Sequence, residues 1–181
     1  MWHIRKDYVL ERLVIVSPSE KKISNSKKCA YCPGNESMTK PSILSLVAKS
    51  GMLQRLQDSE DDYVKNWTVR VFESIIPAVS TSTENSYTER PLYSEPAYGY
   101  HYIVVASPKH EDTLASIDIE QWSNVLVVIQ DRLRWLYTQR GVTYVSIFVN
   151  HGQEAGSDIN HSHVNMVSFS NIPPIIEEEA D

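Results

Sequence analysis

The hydrophobic positions of the chain form one long run with helical spacing and several shorter runs typical of strands. In residues 116–140 apolar side chains recur every three or four positions, and these are Trp122, Val125, Leu126, Ile129, Leu133 and Leu136. This spacing places them on one face of a helix, and Gly141 is the kind of residue that commonly ends one. The pattern predicts one long amphipathic helix.

The shorter runs are rich in β-branched and aromatic residues, which favour strands. They occupy residues 7–18, 67–79, 100–110, 143–150 and 161–170. Because predicted strands both precede and follow the helix, the order indicates an α+β fold in which an antiparallel sheet carries the long helix on one face.

Three other segments have less regular patterns. Residues 41–57 have mixed apolar spacing, which fits either a helix or an irregular cover. Residues 80–99 are rich in Ser, Thr, Pro and Tyr and have no periodic apolar face, so we expect a long surface loop. Two successive prolines, Pro173 and Pro174, predict an extended tail over residues 171–181.

Composition and charge narrow the class of protein. The chain of 181 residues has the length of one ordinary domain, and 41% of its residues are hydrophobic. Its 17 Lys and Arg against 23 Asp and Glu give a net charge of -6, so no overall positive field attracts a nucleic acid or an anionic membrane. No run of apolar residues is long enough for a membrane helix, and charges interrupt the first apolar stretch, unlike a signal peptide. We expect a single cytoplasmic domain over residues 1–181 that binds neither nucleic acid nor membranes.

Both cysteines lie in one short motif, C-A-Y-C, which is followed by a P-G-N turn. In a reducing compartment a disulfide framework is not expected, which leaves metal binding, redox chemistry or coincidence. Thioredoxin-like chemistry is disfavoured because no βαβ pattern follows the motif. Zinc usually takes four Cys and His ligands, so Cys29 and Cys32 could form a Cys2His2 set with His110 and His161, although their separation is far longer than in a zinc finger.

The segment N-H-S-H-V-N-M contains a second candidate site. Side chains alternate in a strand, so His161, His163 and Asn165 project to one side and the residues between them to the other. A neutral imidazole is a competent nucleophile toward phosphorus, and a neighbouring metal-bound histidine would fix the orientation of His163. Asn165 could then donate hydrogen bonds to phosphoryl oxygens. The alternative is an ordinary polar stripe on the exposed face of a sheet.

The loop before these histidines has Asn150, Gly152 and Gly156, whose backbone can closely approach a ligand. The alternative for this loop is an ordinary hairpin connection. The remaining histidines, His3, His101 and His151, carry no pattern that separates them from ordinary surface or core residues.

Four ordered segments resemble the galactose-1-phosphate uridylyltransferase family of the histidine-triad superfamily. They are CAYCPGNE, WTVRVFESIIPAV, GYHYIVVASPKHEDTL and FVNHGQEAGSDINHSHVNM, and the similarity runs through residues 5–175. The resemblance implies a histidine-triad-like antiparallel sheet with one long helix packed on it, a bound zinc ion, and a possible homodimer. It also implies transfer of a nucleotide from a nucleotide-sugar to a sugar phosphate through a nucleotidyl-histidine. Family members have two similar halves, and this chain covers the first.

The resemblance also implies residue roles. The nucleophile of the family falls on His163, and its zinc ligands fall on Cys29, Cys32, His110 and His161. The substrate contacts that it implies fall on Asn150, Gly156, Ser157, Asp158, Asn165 and Ser74.

Several positions depart from the family pattern. Asn165 stands where the family has glutamine, Ser74 where it has asparagine, and Asp158 where it has serine. The arginines that usually follow the first strand are replaced by Lys21 and Lys22. Two alternatives therefore stay open beside uridylyl transfer. One is an adenylyl-transferring phosphorylase that uses an ADP-sugar or a diadenosine polyphosphate, and the other is an inactive, zinc-stabilised nucleotide-binding domain.

Overall fold

The computed structural model describes residues 2–10, 12–16, 28–60, 62–82, 92–157 and 159–180. Within these ranges lie nine strands and two α-helices. The strands are β1 (His3–Asp7), β2 (Arg12–Val16), β3 (Ser42–Lys49), β4 (Met52–Leu56), β5 (Trp67–Glu73), β6 (Ser94–Pro96), β7 (His101–Val105), β8 (Tyr144–Phe148) and β9 (His163–Phe169), and the helices are α1 (Ile119–Tyr137) and α2 (Pro174–Ala180). No helix within these ranges is long and apolar enough to cross a membrane.

The strands form two antiparallel sheets. The larger has six strands in the order β4-β3-β5-β7-β9-β8, and the smaller has the order β2-β1-β6. Helix α1 packs on one face of the larger sheet. The predicted α+β architecture, an antiparallel sheet with one long helix on it, is confirmed, and β7 and β9 are neighbours within the sheet.

Both faces of the larger sheet are covered along its central strands. On the helix face Val125, Val128 and Leu136 pack against alternate residues of the central strands, among them Val71, Tyr102, Val104, Val164 and Met166. On the opposite face lie Phe72, Ile103 and Val105, covered by residues 28–40, which we call the cysteine segment. A strand that is buried on both faces is apolar at nearly every position.

Helix α1 lies within the predicted range. The Asp118 carboxylate caps its first turn by accepting the N–H of Gln121 at 2.8 Å, which satisfies one of the free donors there. Leu126, predicted on the core face, is instead 56% exposed. The buried stripe runs through Val125, Val128 and Leu136, and successive helix residues point about 100° apart, so Leu126 is turned away from the sheet.

Residues 41–57 are neither helical nor irregular; they form the β3–β4 hairpin. Its two-residue turn is Ser50-Gly51, with φ values of 53° and 78°. Two positive φ values in succession match the twist of a tight hairpin, and glycine adopts them without strain. The prediction failed because β3 is buried on both faces, which removes the alternation that identifies a strand.

Several boundaries also differ from the prediction. The tail is not extended over its length, because Pro174 begins α2; proline is well tolerated in the first turn of a helix, where its missing N–H has no partner to lose. The predicted loop 80–99 contains β6, which pairs with β1, while its residues 83–91 lie outside the described ranges. Strand β9 begins at His163, so His161 precedes it.

A buried ion pair joins β5 to the segment that follows β4, and its arginine also contacts the cysteine segment. Arg70 Nη2 lies 2.8 Å from Asp58 Oδ2, and the two side chains are 1% and 0% exposed. Arg70 Nη1 donates to the hydroxyl of Thr39 at 2.7 Å, while Asp58 accepts the backbone N–H groups of Ser42 and Val64. Buried charges of this kind are tolerated when they are paired and hydrogen-bonded.

Candidate functional site

Two cysteines and two histidines converge where the cysteine segment meets the ends of β7 and β9. The ligand atoms of Cys29, Cys32, His110 and His161 all lie within 4.8 Å of one another. Three S···N distances are 3.4 to 3.6 Å: Cys32 to His110, Cys29 to His161 and Cys32 to His161. Typical Zn–S and Zn–N bonds at tetrahedral angles separate S and N by about 3.6 Å. The donor set therefore fits a metal ion in both chemistry and geometry.

The turn that holds the two cysteines is fixed by its own backbone. Cys32 N–H donates to the carbonyl of Cys29 at 3.3 Å, and the Asn35 side chain donates to the same carbonyl at 2.8 Å. Asn35 N–H also donates to the carbonyl of Cys32 at 3.1 Å. These bonds close a compact turn that keeps both sulfur atoms on one side.

Glu36 joins this turn to the sheet. Its carboxylate, 2% exposed, accepts the N–H of Gly34 and the indole N–H of Trp67 in β5, each at 3.1 Å, and lies 3.0 Å from the Lys65 ammonium. Burial alone would raise the pKa of Glu36, but these donors outweigh it and hold the pKa below its usual value. The carboxylate is therefore charged at neutral pH, and its hydrogen bonds hold the turn against β5.

The protonation states of the donor group follow from its surroundings. Burial raises the pKa of the Cys32 thiol to about 11, and the neighbouring Cys29 and Glu111 add to the effect. Without a metal ion Cys32 is thus a neutral thiol at pH 7, whereas a coordinated thiol loses its proton. His161 Nε2 lies 2.8 Å from the carbonyl oxygen of Ser107, which can only accept a hydrogen bond. The proton is therefore on Nε2, and the Nδ1 lone pair faces the sulfur atoms.

The same reasoning fixes the tautomer of His163. Its Nδ1 lies 2.7 Å from the carbonyl oxygen of His161, so Nδ1 carries the proton and donates it. Burial lowers the pKa of His163, which keeps the ring neutral at pH 7. The ring of Tyr31 packs edge-on against His163 with centroids 5.3 Å apart. His163 therefore has a fixed orientation and an available lone pair on Nε2.

His163 lines two cavities. One, of about 410 Å³, is lined also by His110, His151 and Gly152. The other, of about 140 Å³, brings His163 together with five of the residues predicted to bind substrate: Ser74, Asn150, Gly156, Ser157 and Asn165. The sixth, Asp158, lies outside the described residues. Asn165 shares the face of His163 because each is paired with a residue of that face, Ile103 and Val105 of β7.

Two residues of the site carried no sequence signal. Tyr31 lies between the cysteines and contacts the rings of both His161 and His163. His101, at the start of β7, lies 3.1 Å from the Asn165 side chain. Only the pairing of β7 with β9 brings His101 to this site, and that register is not visible in the sequence.

Comparison with known proteins shows that longer chains share the fold of this one. The family model described as galactose-1-phosphate uridyl transferase, N-terminal domain, matches residues 51–173. An ADP-glucose phosphorylase of Arabidopsis thaliana is 26% identical over 194 residues, covering 98% of this chain and 51% of that protein. A galactose-1-phosphate uridylyltransferase of Thermotoga maritima is 30% identical over 87 residues, which cover 48% of this chain and 27% of that protein.

Solved structures extend the comparison. A uridylyltransferase superposes with a TM-score of 0.74 at 22% identity, over 98% of this chain and 49% of that one. The Arabidopsis thaliana ADP-glucose phosphorylase, solved with bound ADP-glucose, gives a TM-score of 0.63 at 26% identity, over 96% of this chain and 50% of that one. The chain thus spans about half the length of that phosphorylase and about a quarter of the Thermotoga maritima enzyme. Since the family model covers 123 of the 181 residues (51 to 173), the chain belongs to the galactose-1-phosphate uridyl transferase family.

Proposed function

We propose that this chain transfers a nucleotidyl group through His163. The Nε2 lone pair attacks the α-phosphorus of a nucleotide-sugar, a P–N bond forms, and the bond from that phosphorus to the bridging oxygen breaks, so that the sugar leaves as its 1-phosphate. A phosphate oxygen of the acceptor then attacks the same phosphorus and breaks the P–N bond. His163 is regenerated, and no oxidant or further reactant is needed.

The observation that carries the proposal is the hydrogen bond from His163 Nδ1 to the carbonyl of His161, 2.7 Å long. It keeps the proton on the nitrogen away from the reaction and stabilises the positive charge that the ring acquires as Nε2 attacks. Burial, which disfavours the imidazolium ion, keeps the free residue in its nucleophilic form. The two cavities that His163 lines, of about 410 and 140 Å³, offer space beside the ring for a nucleotide-sugar.

We further propose that Cys29, Cys32, His110 and His161 hold zinc. Four protein ligands fill a tetrahedral coordination shell, which leaves no position for water or substrate, so the ion would have a structural role. By holding His161 it fixes the carbonyl that accepts the His163 hydrogen bond. The ion would therefore stabilise the segment that contains His161, and this segment in turn orients His163.

Replacing Cys32 with serine is expected to remove zinc from the chain. A hydroxyl is a far weaker zinc ligand than a thiolate, so we expect the altered site to lose the ion. Native mass spectrometry after purification in zinc-containing buffer measures occupancy, which should be one ion per wild-type chain. His151→Ala is the matched control, since His151 lines the neighbouring cavity but lies outside the donor group. A wild-type chain without zinc, or a Cys32→Ser chain with full occupancy, would contradict the assignment.

A second candidate concerns the donor and acceptor. The match to the ADP-glucose phosphorylase extends over 98% of this chain, whereas the match to the uridylyltransferase of Thermotoga maritima covers 48%. This difference favours an ADP-sugar as donor and inorganic phosphate as acceptor. If the chain instead transfers uridylyl groups, the donor is a UDP-sugar and the acceptor is a sugar phosphate.

Intact-mass measurement separates these candidates. The chain is incubated with ADP-glucose or UDP-glucose without acceptor, and the expected result is a gain of one adenylyl or one uridylyl group. Addition of phosphate or of a hexose 1-phosphate should then remove the group and identify the acceptor. If neither donor labels a zinc-loaded, folded chain, transfer is refuted and an inactive nucleotide-binding domain remains.

A further inference from the structure

His101 lies between a backbone amide and the side chain of Asn165. Its Nδ1 is 3.1 Å from the backbone nitrogen of Ala78, and its Nε2 is 3.1 Å from Asn165 Oδ1. A backbone N–H can only donate, so Nδ1 must carry a lone pair. The proton of the neutral ring is then on Nε2, and the Asn165 atom that faces it must be the oxygen.

This arrangement determines which end of the Asn165 amide reaches the site. With Oδ1 held by His101, the NH2 group is what remains to face the cavity of about 140 Å³ shared with His163 and Ser157. Among the described residues none accepts a hydrogen bond from this NH2 group. An amide N–H pair suits a phosphoryl oxygen, whereas an amide oxygen in the same place would repel one.

We infer that His101 is a positioning residue, which through its Nε2–H turns the Asn165 amide so that its NH2 group binds a phosphoryl oxygen of the nucleotide held beside His163. The inference rests on the proposed function for the identity of the ligand. The inference gives a role to His101, which no pattern in the sequence distinguishes from a surface or core histidine. The chain of donors runs from the Ala78 backbone through the imidazole and the amide to the phosphate.

Loss of the His101 hydrogen bond to Asn165 should weaken the binding of only those ligands that carry phosphate. If the amide turns over, a phosphoryl oxygen loses a donor and meets a lone pair, but a nucleoside without phosphate makes no such contact. A role of His101 in folding alone would weaken nucleoside and nucleotide binding together. The ratio of the two affinities is therefore the informative measurement.

Two substitutions separate the functions of the imidazole. In His101→Asn the side-chain oxygen can take the place of Nδ1, which retains the contact with Ala78 but removes the donor to Asn165. In His101→Gln the amide nitrogen can take the place of Nε2, which retains that donor. Calorimetric titration with ADP and adenosine, and with UDP and uridine, should show roughly tenfold weaker nucleotide binding in His101→Asn, with nucleoside binding unchanged. His101→Gln should stay close to the wild-type chain.

Asn165→Asp provides an independent test without altering the histidine. One carboxylate oxygen still accepts from His101, and the other replaces the NH2 group, so the affinity for ADP or UDP should again fall roughly tenfold or more. In an Asn165→Ala background, His101→Asn should have little further effect, because its influence passes through the missing amide.

Equal losses of nucleotide and nucleoside affinity in His101→Asn, or no loss at all, would overturn the inference. So would additive effects in the double variant. The proposed transfer is judged separately by the intact-mass adduct: an adduct with an unchanged affinity ratio refutes only the positioning role, and the predicted ratio without an adduct refutes only the transfer. A wild-type chain that binds no nucleotide refutes both.

Discussion

Replacing His163 with alanine is expected to abolish nucleotidyl transfer by the chain. The substitution removes the nitrogen that forms the P–N bond. The neighbouring His161 offers no equivalent lone pair, because its Nδ1 faces the cysteines and its Nε2 donates to Ser107. Removing an enzyme nucleophile typically lowers turnover by about 10⁴- to 10⁶-fold. Intact mass after incubation with the matching donor should show the adduct in wild type and none in His163→Ala.

The control for this experiment is His3→Ala. His3 lies in β1 of the smaller sheet and lines neither cavity beside His163, so the adduct should form as in wild type. Nucleotide binding by His163→Ala, measured by calorimetry, shows that the site is still folded. An adduct on the alanine variant at the wild-type rate would mean that another residue is the nucleophile.

Replacing Asp58 with asparagine is expected to lower the free energy of unfolding by about 3–5 kcal/mol. The loss follows because Arg70, 1% exposed, would keep its charge in the interior without the carboxylate 2.8 Å away. Urea denaturation followed by circular dichroism measures the difference. The matched control is Asp131→Asn, which removes the partner of Arg55 in an exposed pair and should cost at most about 1 kcal/mol. Equal stability losses in the two variants would contradict the argument.

The same pair predicts how stability depends on pH. Burial raises the pKa of Asp58, but the Ser42 N–H, Arg70 and the Val64 N–H outweigh it, and the pKa lies below its ordinary value. A carboxylate whose pKa is lower in the folded state adds stability above its unfolded pKa, about 3.9, and this stability is lost as pH falls through the folded value. Acid unfolding of the wild type should therefore be steeper below about pH 4 than that of Asp58→Asn.

The sequence predicts helix α1 correctly and fails at strand β3. Helix α1 has one apolar stripe, and its spacing identifies it. Strand β3 is covered on both sides, so its apolar residues give no period, and only the Ser50-Gly51 turn marks the hairpin. The sequence also predicts an extended tail, and the structure differs because proline, which interrupts a helix, is well tolerated at its start, where Pro174 stands.

The sequence predicts those features of the candidate site that depend on residue type alone. Cysteine and histidine are scarce enough for Cys29, Cys32, His110 and His161 to be grouped from the sequence, and the structure brings them together. The roles assigned to them and to His163 stay predictions. The tautomers could not be predicted, because they depend on which carbonyl lies opposite each ring nitrogen, and the contact of His101 with Asn165 depends on the register of β7 and β9.

The donor group also bears on how the chain folds. Cys29 and His161 are 132 positions apart in sequence, and Cys32 and His110 are 78 apart. Contacts of such long range require the intervening strands to be in place first, because closing a long loop costs entropy that only many contacts repay. We therefore expect the site to form late in folding. An ion bound there would tie the cysteine segment to the residues just before the last strand and slow the release of either, much as a cross-link does.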